Sequence, residues 1–184
     1  MSMKALVFLA DGFEEVEAVT PIDYLRRAGI TVTTASVSGS KTVTGAHSLP
    51  VIADTLITEL TEGSVWDVIV CPGGMPGAAN IAASPSARSL LKAQAERGRW
   101  IAAICASPAV VLAPLGILQG RRFTCYPGME DRVADAHWSA GSVVADGNII
   151  TSRGAGTAGR FAVAIIAWLL SQKDADKIAD SVLL

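Results

Sequence analysis

The chain alternates between short apolar runs and longer amphipathic segments, and the two patterns predict different elements. Four runs are apolar at nearly every position, which is typical of strands buried on both faces of a sheet. They cover residues 4–10, 30–36, 65–71 and 99–104. In residues 15–28 and 85–97 the apolar positions recur at helical spacing instead. Strands that alternate with helices predict an α/β sandwich with a mainly parallel sheet.

Two segments interrupt this alternation and resemble hairpins. Residues 41–52 predict a small hairpin around Thr44-Gly45-Ala46. Residues 142–152 predict a second one, because Asp146-Gly147 is a strong two-residue turn signal. We expect both to be antiparallel additions to the sheet, followed by a last long helix over residues 157–170.

An uncharged stretch at residues 100–118 approaches the length of a membrane span. Pro108, Pro114 and Gly116 interrupt it, and such residues punctuate soluble elements. We therefore expect a strand, a tight turn and a short helix there, and no membrane partner. The first residues carry one Lys and a short apolar run, which predicts a strand and no signal peptide.

Length and charge narrow the class of protein further. The 184 residues suit a single domain spanning residues 1–184. The formal net charge of -2 gives no electrostatic basis for sequence-specific nucleic-acid binding. The three cysteines lack disulfide or metal-ligand spacing, so we expect no metal, no cofactor and a reducing, cytoplasmic environment. A small molecule or a second copy of the chain is the expected partner.

Cys105 directly follows one predicted strand, at the edge of the sheet where ligands bind in α/β folds. Ser107 and Pro108 suit the N-cap and the first position of a helix. A helix start favours negative charge, so we expect a lowered thiol pKa and a stable thiolate. The alternative is a small buried hydrophobic residue, which is what most free cysteines are.

Two other segments end near the same edge of the predicted sheet. The glycines after Cys71, in Pro72-Gly73-Gly74, allow backbone N–H groups to approach a ligand, as an oxyanion site requires. At the first helix we expect Val16, Val19 and Ile22 to face the sheet, with Glu17 beside them. Burial there would raise the pKa of Glu17 and let it exchange a proton with a thiolate.

Four groups of residues in register resemble the ThiJ/PfpI superfamily, and specifically its DJ branch. They are EEVE with TPIDYLRRAGI, DVIVCPGG, IAAICASP and TSRGAGT. The resemblance implies a flavodoxin-like three-layer sandwich of the class I glutamine amidotransferase-like type, and a homodimer that pairs at the first helix. It also implies a nucleophilic cysteine on a strained elbow.

The resemblance also implies roles for individual residues. Cys105 matches the reactive cysteine and Glu17 its hydrogen-bonded glutamate, with the N–H groups of Gly74 and Ala106 as donors. The predicted substrate-binding residues are Gly73, Arg153, His47 and Tyr126. Tyr126 stands where some relatives have a histidine, which leaves the acid/base work to Glu17. Ala106 stands where the peptidase-like branch has a histidine, so proteolysis is disfavoured.

The resemblance leaves two interpretations of function open. The first is a cofactor-free glyoxalase or deglycase that acts on methylglyoxal and its adducts on proteins, and so protects against carbonyl and oxidative stress. The second is a non-enzymatic redox-sensing chaperone that uses oxidation of Cys105. Further alternatives are a peptidase or amidase, and a link to thiazole biosynthesis. The same residues serve the first two interpretations, so the sequence does not separate them.

Overall fold

The structure, a computed structural model, describes residues 2–60 and 63–184. Within that part of the chain, seven strands form one sheet. These strands are β1 Lys4–Leu9, β2 Thr31–Ser36, β5 Thr55–Leu56, β6 Val68–Cys71, β7 Trp100–Ile104, β10 Val143–Asp146 and β11 Ile149–Ser152. Their order across the sheet is β10-β11-β7-β6-β1-β2-β5. Every neighbouring pair is parallel except β10 with β11.

Helices cover both faces of this sheet, which makes the predicted three-layer α/β sandwich. The α-helices are α1 Glu15–Arg27, α2 Gly77–Ala83, α3 Pro85–Glu96, α4 Ala158–Leu169 and α5 Gln172–Ser181. On one face, Leu25 of α1 and Phe161 of α4 pack against Val7 of β1. On the other, Ile81 of α2 and Leu91 of α3 pack against the opposite side of the sheet. The central strands are apolar throughout because both of their faces are covered.

The first helix buries a different stripe from the one that the sequence predicts. Val16 and Val19 are about half exposed, at 47% and 46%. The buried residues of α1 are Glu15, Glu17, Ala18, Pro21 and Leu25. The spacing therefore predicts the helix correctly, but the prediction that Val16 and Val19 face the sheet is wrong. Ile22, the third predicted position, is partly buried and packs against the core on that face.

The two predicted hairpins have different outcomes. The second is confirmed, with β10 pairing antiparallel to β11 at the edge of the sheet. The first forms a separate two-stranded sheet of β3 Thr42–Thr44 and β4 Pro50–Ile52, so its prediction as an addition to the main sheet is wrong. It packs beside α1, where Val43 joins Phe13 and Ala18 in a small core. A further pair, β8 Arg122–Phe123 with β9 His137–Trp138, was not predicted.

The uncharged stretch at residues 100–118 divides as expected, into a strand, a turn and a short helical segment. The helical part is a single π-turn at Pro108–Leu112 followed by a 3-10 turn at Ala113–Leu115. Among residues 2–60 and 63–184, no helix has both the length and the hydropathy needed to cross a membrane.

Candidate active site

Cys105 lies on a sharp elbow between β7 and the π-turn. Its φ is +62°, in the left-handed region that residues with a side chain adopt at a cost of about 1–3 kcal/mol. Two backbone hydrogen bonds hold it there: its N–H donates to the carbonyl of Ser152 at 2.9 Å, and its carbonyl accepts from the N–H of Tyr126 at 2.8 Å. The strained elbow implied by the family resemblance is therefore present.

Ser107 fixes this elbow in a way that the sequence did not suggest. Its side chain makes no N-cap hydrogen bond, and its backbone is already helical. The buried hydroxyl instead donates to the carbonyl of Pro72, which joins the elbow to the glycine loop after β6. Ser107 therefore positions the two segments that surround the thiol.

Some neighbours of the Cys105 thiol stabilise a negative charge on the sulfur, and others destabilise it. Burial and the carboxylate of Glu17 raise its pKa to about 12. The backbone N–H groups of Gly74 and Ala106 hydrogen-bond the sulfur and act in the opposite direction. Both N–H groups therefore lie at the sulfur, and their role as donors to a reacting oxyanion stays a prediction, whereas the predicted lowering of the thiol pKa is wrong. A short π-turn gives little helix dipole, and the sequence did not show how closely a carboxylate would approach.

Glu17 projects from the first turn of α1 into the protein interior, where only 1% of the residue is exposed. Its Oε2 accepts a hydrogen bond from the Gly73 N–H at 2.9 Å. Its Oε1 is buried without a well-aligned hydrogen-bond partner, and the thiol of Cys105 is the polar side chain that affects this carboxyl most. Burial raises the pKa of Glu17 to about 7, as the sequence predicted.

Glu17 and Cys105 act as one titrating pair because each group changes the protonation of the other. Burial raises the pKa of both groups, and the charge of Glu17 raises that of Cys105 further. At intermediate pH the pair holds a single proton. When that proton lies on the carboxyl group, the sulfur is a thiolate with two N–H donors and no negative neighbour in the pair.

Gly73 permits the close approach of these two groups. A Cβ atom at this position would lie 2.5 Å from Glu17 Oε2 and 2.6 Å from the Cβ of Cys105. The structure gives this glycine a positioning role, since its N–H is directed at Glu17. Its role in substrate binding stays a prediction.

The pocket above the thiol has two lobes with Tyr126 between them. The thiol lobe, of about 360 Å³, is lined by Gly74, Met75, Cys105, Ala106, Tyr126, Pro127, Gly128 and Met129. The arginine lobe is lined by Tyr126, Pro127, Ala140, Ser142, Arg153, Gly154, Ala155, Gly156 and Thr157. Tyr126 and Arg153 therefore lie at the pocket, as predicted. Met75 and Met129 were missed, because no sequence pattern links them to the cysteine.

His47, a predicted substrate-binding residue, lies outside the pocket of its own chain. Its Nδ1 lies 2.8 Å from Oε2 of Glu15 and 3.7 Å from Oε1 of Glu14. The backbone N–H of His47 also donates to Glu15. The hairpin that carries His47 packs beside α1, and the histidine lines neither lobe.

The cluster of Glu14, Glu15 and His47 is the one group found among the described residues whose ligand atoms could hold a metal ion. The three residues already interact with one another: the hydrogen bond to Glu15 and the charges of both carboxylates raise the pKa of His47. The other two cysteines are buried. Burial raises the pKa of Cys125 to about 11 and that of Cys71 further still.

Comparison with known proteins agrees with this geometry. The profile of the DJ-1/PfpI family matches residues 3–168. The Parkinson disease protein 7 homolog of Danio rerio is 40% identical over 178 residues, which cover 95% of this chain and 94% of the relative. An Arabidopsis thaliana relative, Protein DJ-1 homolog B, is 44% identical over 88% of this chain, but the chain spans only 36% of that longer protein.

An archaeal protein and a solved structure extend the comparison. A Pyrococcus abyssi protein named as a deglycase is 33% identical over 82% of this chain and 90% of its own length. The structure of oxidized Toxoplasma gondii DJ-1 superposes with a TM-score of 0.96 at 41% identity, over 99% of this chain and 98% of that one. The similarity thus covers the whole sandwich, including both lobes of the pocket.

We predict that alkylation distinguishes the three cysteines. Limiting iodoacetamide should label Cys105 first, because Cys71 and Cys125 are fully buried. The labelling rate should rise as the pH increases through about 7, where the pair loses its first proton, and Glu17→Gln should remove that inflection. Peptide mass spectrometry measures both results. Earlier labelling of Cys71 or Cys125 would contradict the predicted exposure of the elbow.

We also predict a pH-dependent effect of Glu17→Gln on stability. The pKa of Glu17 is raised in the folded state, so the native protein binds more protons between pH 4.5 and about 7 and loses stability as the pH rises. The glutamine variant should therefore gain up to about 3 kcal/mol relative to the wild type between pH 5 and pH 8. Urea unfolding measures this difference, with exposed Glu96→Gln as the control. If the free energy of unfolding of Glu17→Gln differed from that of the wild type by the same amount at pH 5 and at pH 8, the raised pKa of Glu17 would be refuted.

Proposed function

The chain belongs to the DJ-1/PfpI family, and from that premise we propose that it is a cofactor-free glyoxalase or deglycase that uses Cys105. Its substrates are methylglyoxal and the early adducts that this aldehyde forms on proteins. The observation that supports the proposal best is the contact of the buried Glu17 carboxyl with the Cys105 thiol beside an open pocket. Such a pair supplies a nucleophile and an acid/base group in one contact.

The reaction follows from these groups. The thiolate of Cys105 adds to the aldehyde carbon, and the N–H groups of Gly74 and Ala106 stabilise the oxyanion. Protonated Glu17 gives its proton to this oxyanion and becomes a carboxylate. The carboxylate then removes the proton from that carbon and returns it to the neighbouring carbonyl carbon, while the new hydroxyl proton passes to the oxygen of that neighbour. This oxidises the first carbon and reduces the second, which gives a thioester of lactate. Water hydrolyses the thioester and releases lactate and the free thiol, so no external oxidant or reductant is consumed.

Glu17 suits this proton transfer because its pKa is near neutral. A base with a pKa of about 7 is ionised in half of the molecules at neutral pH, and its conjugate acid is still strong enough to return the proton. The unpartnered Oε1 is the oxygen free to accept it, since Oε2 is occupied by the Gly73 N–H.

A redox-sensing chaperone remains the alternative, and one comparison favours it: a structurally similar protein from Toxoplasma gondii was solved in an oxidized form. Peroxide would oxidise the Cys105 thiolate to sulfinate, and protonated Glu17 would donate a hydrogen bond to it. This function needs the same pair but no proton transfer between carbons. A peptidase is disfavoured because Ala106 occupies the position after the cysteine.

We further propose a cytoplasmic homodimer. Three free cysteines suit a reducing compartment. Val16 and Val19 of α1 and Leu49 and Ile52 of the neighbouring hairpin are exposed, and we call these four residues the α1 patch. Val19 and Ile52 line the same shallow pocket. An exposed apolar group of this kind is typical of a protein interface, and the family resemblance implies pairing at this helix.

We predict that turnover depends on both members of the pair. Cys105→Ser should abolish formation of lactate from methylglyoxal, and Glu17→Gln should reduce it by about two to four powers of ten. Glu17→Gln retains the size of the side chain but removes the transferable proton. A steady-state lactate assay measures both variants, with buried Cys125→Ser as the matched control and a melting temperature for each variant.

The same variants separate the two functions. If the wild type forms no more lactate than Cys105→Ser but still forms sulfinate with peroxide, the redox function is favoured. If Glu17→Gln retains full turnover, another group moves the proton and the proposed mechanism is wrong.

We predict that Val19→Glu and Ile52→Glu convert the dimer to a monomer, because each buries a charge in the α1 patch. Val65→Glu is the matched control, since Val65 is similarly exposed but lies outside the patch. Sedimentation velocity at micromolar concentration measures the mass. A monomeric wild type would refute the dimer.

A further inference from the structure

The thiol lobe is larger than methylglyoxal requires. Its volume of about 360 Å³ lies within the roughly 300–1,000 Å³ of pockets that hold drug-sized ligands. A three-carbon aldehyde bound to Cys105 would leave much of this space to water. The lobe therefore has room for a substrate with a larger group beyond the reacting carbonyl carbons.

The polar and apolar groups of the lobe are separated by position. At its base lie the sulfur of Cys105 and the N–H groups of Gly74 and Ala106, which serve the reacting atoms. The outer wall is made by Met75, Tyr126, Pro127, Gly128 and Met129. None of the residues that line this lobe carries a charged side chain. A substrate bound here therefore meets donors at one end and an apolar wall at the other.

The outer wall presents its apolar side chains to solvent when the lobe is empty. Met75 and Tyr126 are each 53% exposed, although both border the nucleophile. A thioether and an aromatic ring in one pocket wall suit a flat ring, because sulfur and aromatic groups make favourable contacts with aromatic faces. The ring of Tyr126 also approaches Gly154, where a Cβ would lie 3.6 Å from Cδ2.

From the size and lining of the thiol lobe, we infer that the preferred substrates are 2-oxoaldehydes with a flat apolar substituent, of the arylglyoxal class. The carbonyl carbons bind at Cys105 and the ring lies between Tyr126, Met75 and Met129. This inference rests on the proposed function and gives its substrate class. The reaction is unchanged, with an aryl hydroxy acid as the product.

Phenylglyoxal is the probe, and the measured quantity is the ratio of its kcat/KM to that of methylglyoxal. An additional apolar group in a fitting pocket changes kcat/KM by about 10- to 200-fold. The ratio should therefore exceed about ten in the wild type. Because phenylglyoxal differs in intrinsic reactivity, the decisive result is how the ratio changes in variants of the wall.

Tyr126→Ala and Met129→Ser should each reduce the ratio by about fivefold or more, because they remove the surfaces that contact the ring. Trp138→Ala is the matched control, since Trp138 is a partly exposed aromatic residue outside the lobe. It should leave the ratio within twofold of the wild type. Circular dichroism and melting temperatures show whether the variants are folded.

The outcomes separate this inference from the function on which it rests. If the wild type turns over methylglyoxal but Tyr126→Ala and Met129→Ser leave the kcat/KM ratio unchanged, the arylglyoxal class is overturned and the glyoxalase function still stands. Absence of Cys105-dependent turnover with either aldehyde overturns both. A ratio that falls in both wall variants and not in Trp138→Ala supports the arylglyoxal class.

Discussion

The contact between the buried carboxyl of Glu17 and the thiol of Cys105 is the constraint on which the rest of the site depends. Two acidic groups that share a buried space cannot both ionise at neutral pH, so they share a proton. Maintaining this contact requires a glycine at position 73, where a side chain would collide with both groups. It also requires a left-handed backbone at Cys105, which the carbonyl of Ser152 and the N–H of Tyr126 hold in place.

The sheet explains how these groups meet. β1, β6, β7 and β11 are parallel neighbours, so their carboxyl ends lie at one edge. From these ends come the segment leading to Glu17, the glycine loop, the cysteine elbow and the segment with Arg153. Ser107 links two of them through the carbonyl of Pro72. Strand order therefore brings together residues that are far apart in the chain.

The pair of Glu17 and Cys105 could serve either the glyoxalase reaction or the oxidation of the thiolate. The two reactions need different pockets around the pair. Oxidation of a thiolate needs only access for peroxide, which a narrow opening would provide. The thiol lobe is instead wide, has donors at its base and is apolar along its wall. These properties suit an aldehyde that is held in place while a proton moves between its two carbonyl carbons. For this reason we place the enzymatic function before the redox function.

The sequence alone determined the α/β class and the main helices and strands, because periodicity and local motifs are properties of neighbouring residues. The pairing of Cys105 with Glu17 was implied by the family resemblance, since nothing in the local pattern links two residues so far apart in the chain. Only the tertiary structure decided features that depend on distant groups. The thiol pKa rose because Glu17 and burial outweigh a short π-turn. His47 lies beside Glu14 and Glu15 because its hairpin packs against the start of α1. Met75 and Met129 line the pocket from loops, whose sequences have no periodicity that would predict this position. The exposure of Val16 and Val19 could not be predicted, because a helical repeat gives the spacing of an apolar stripe but not the surface that the stripe faces.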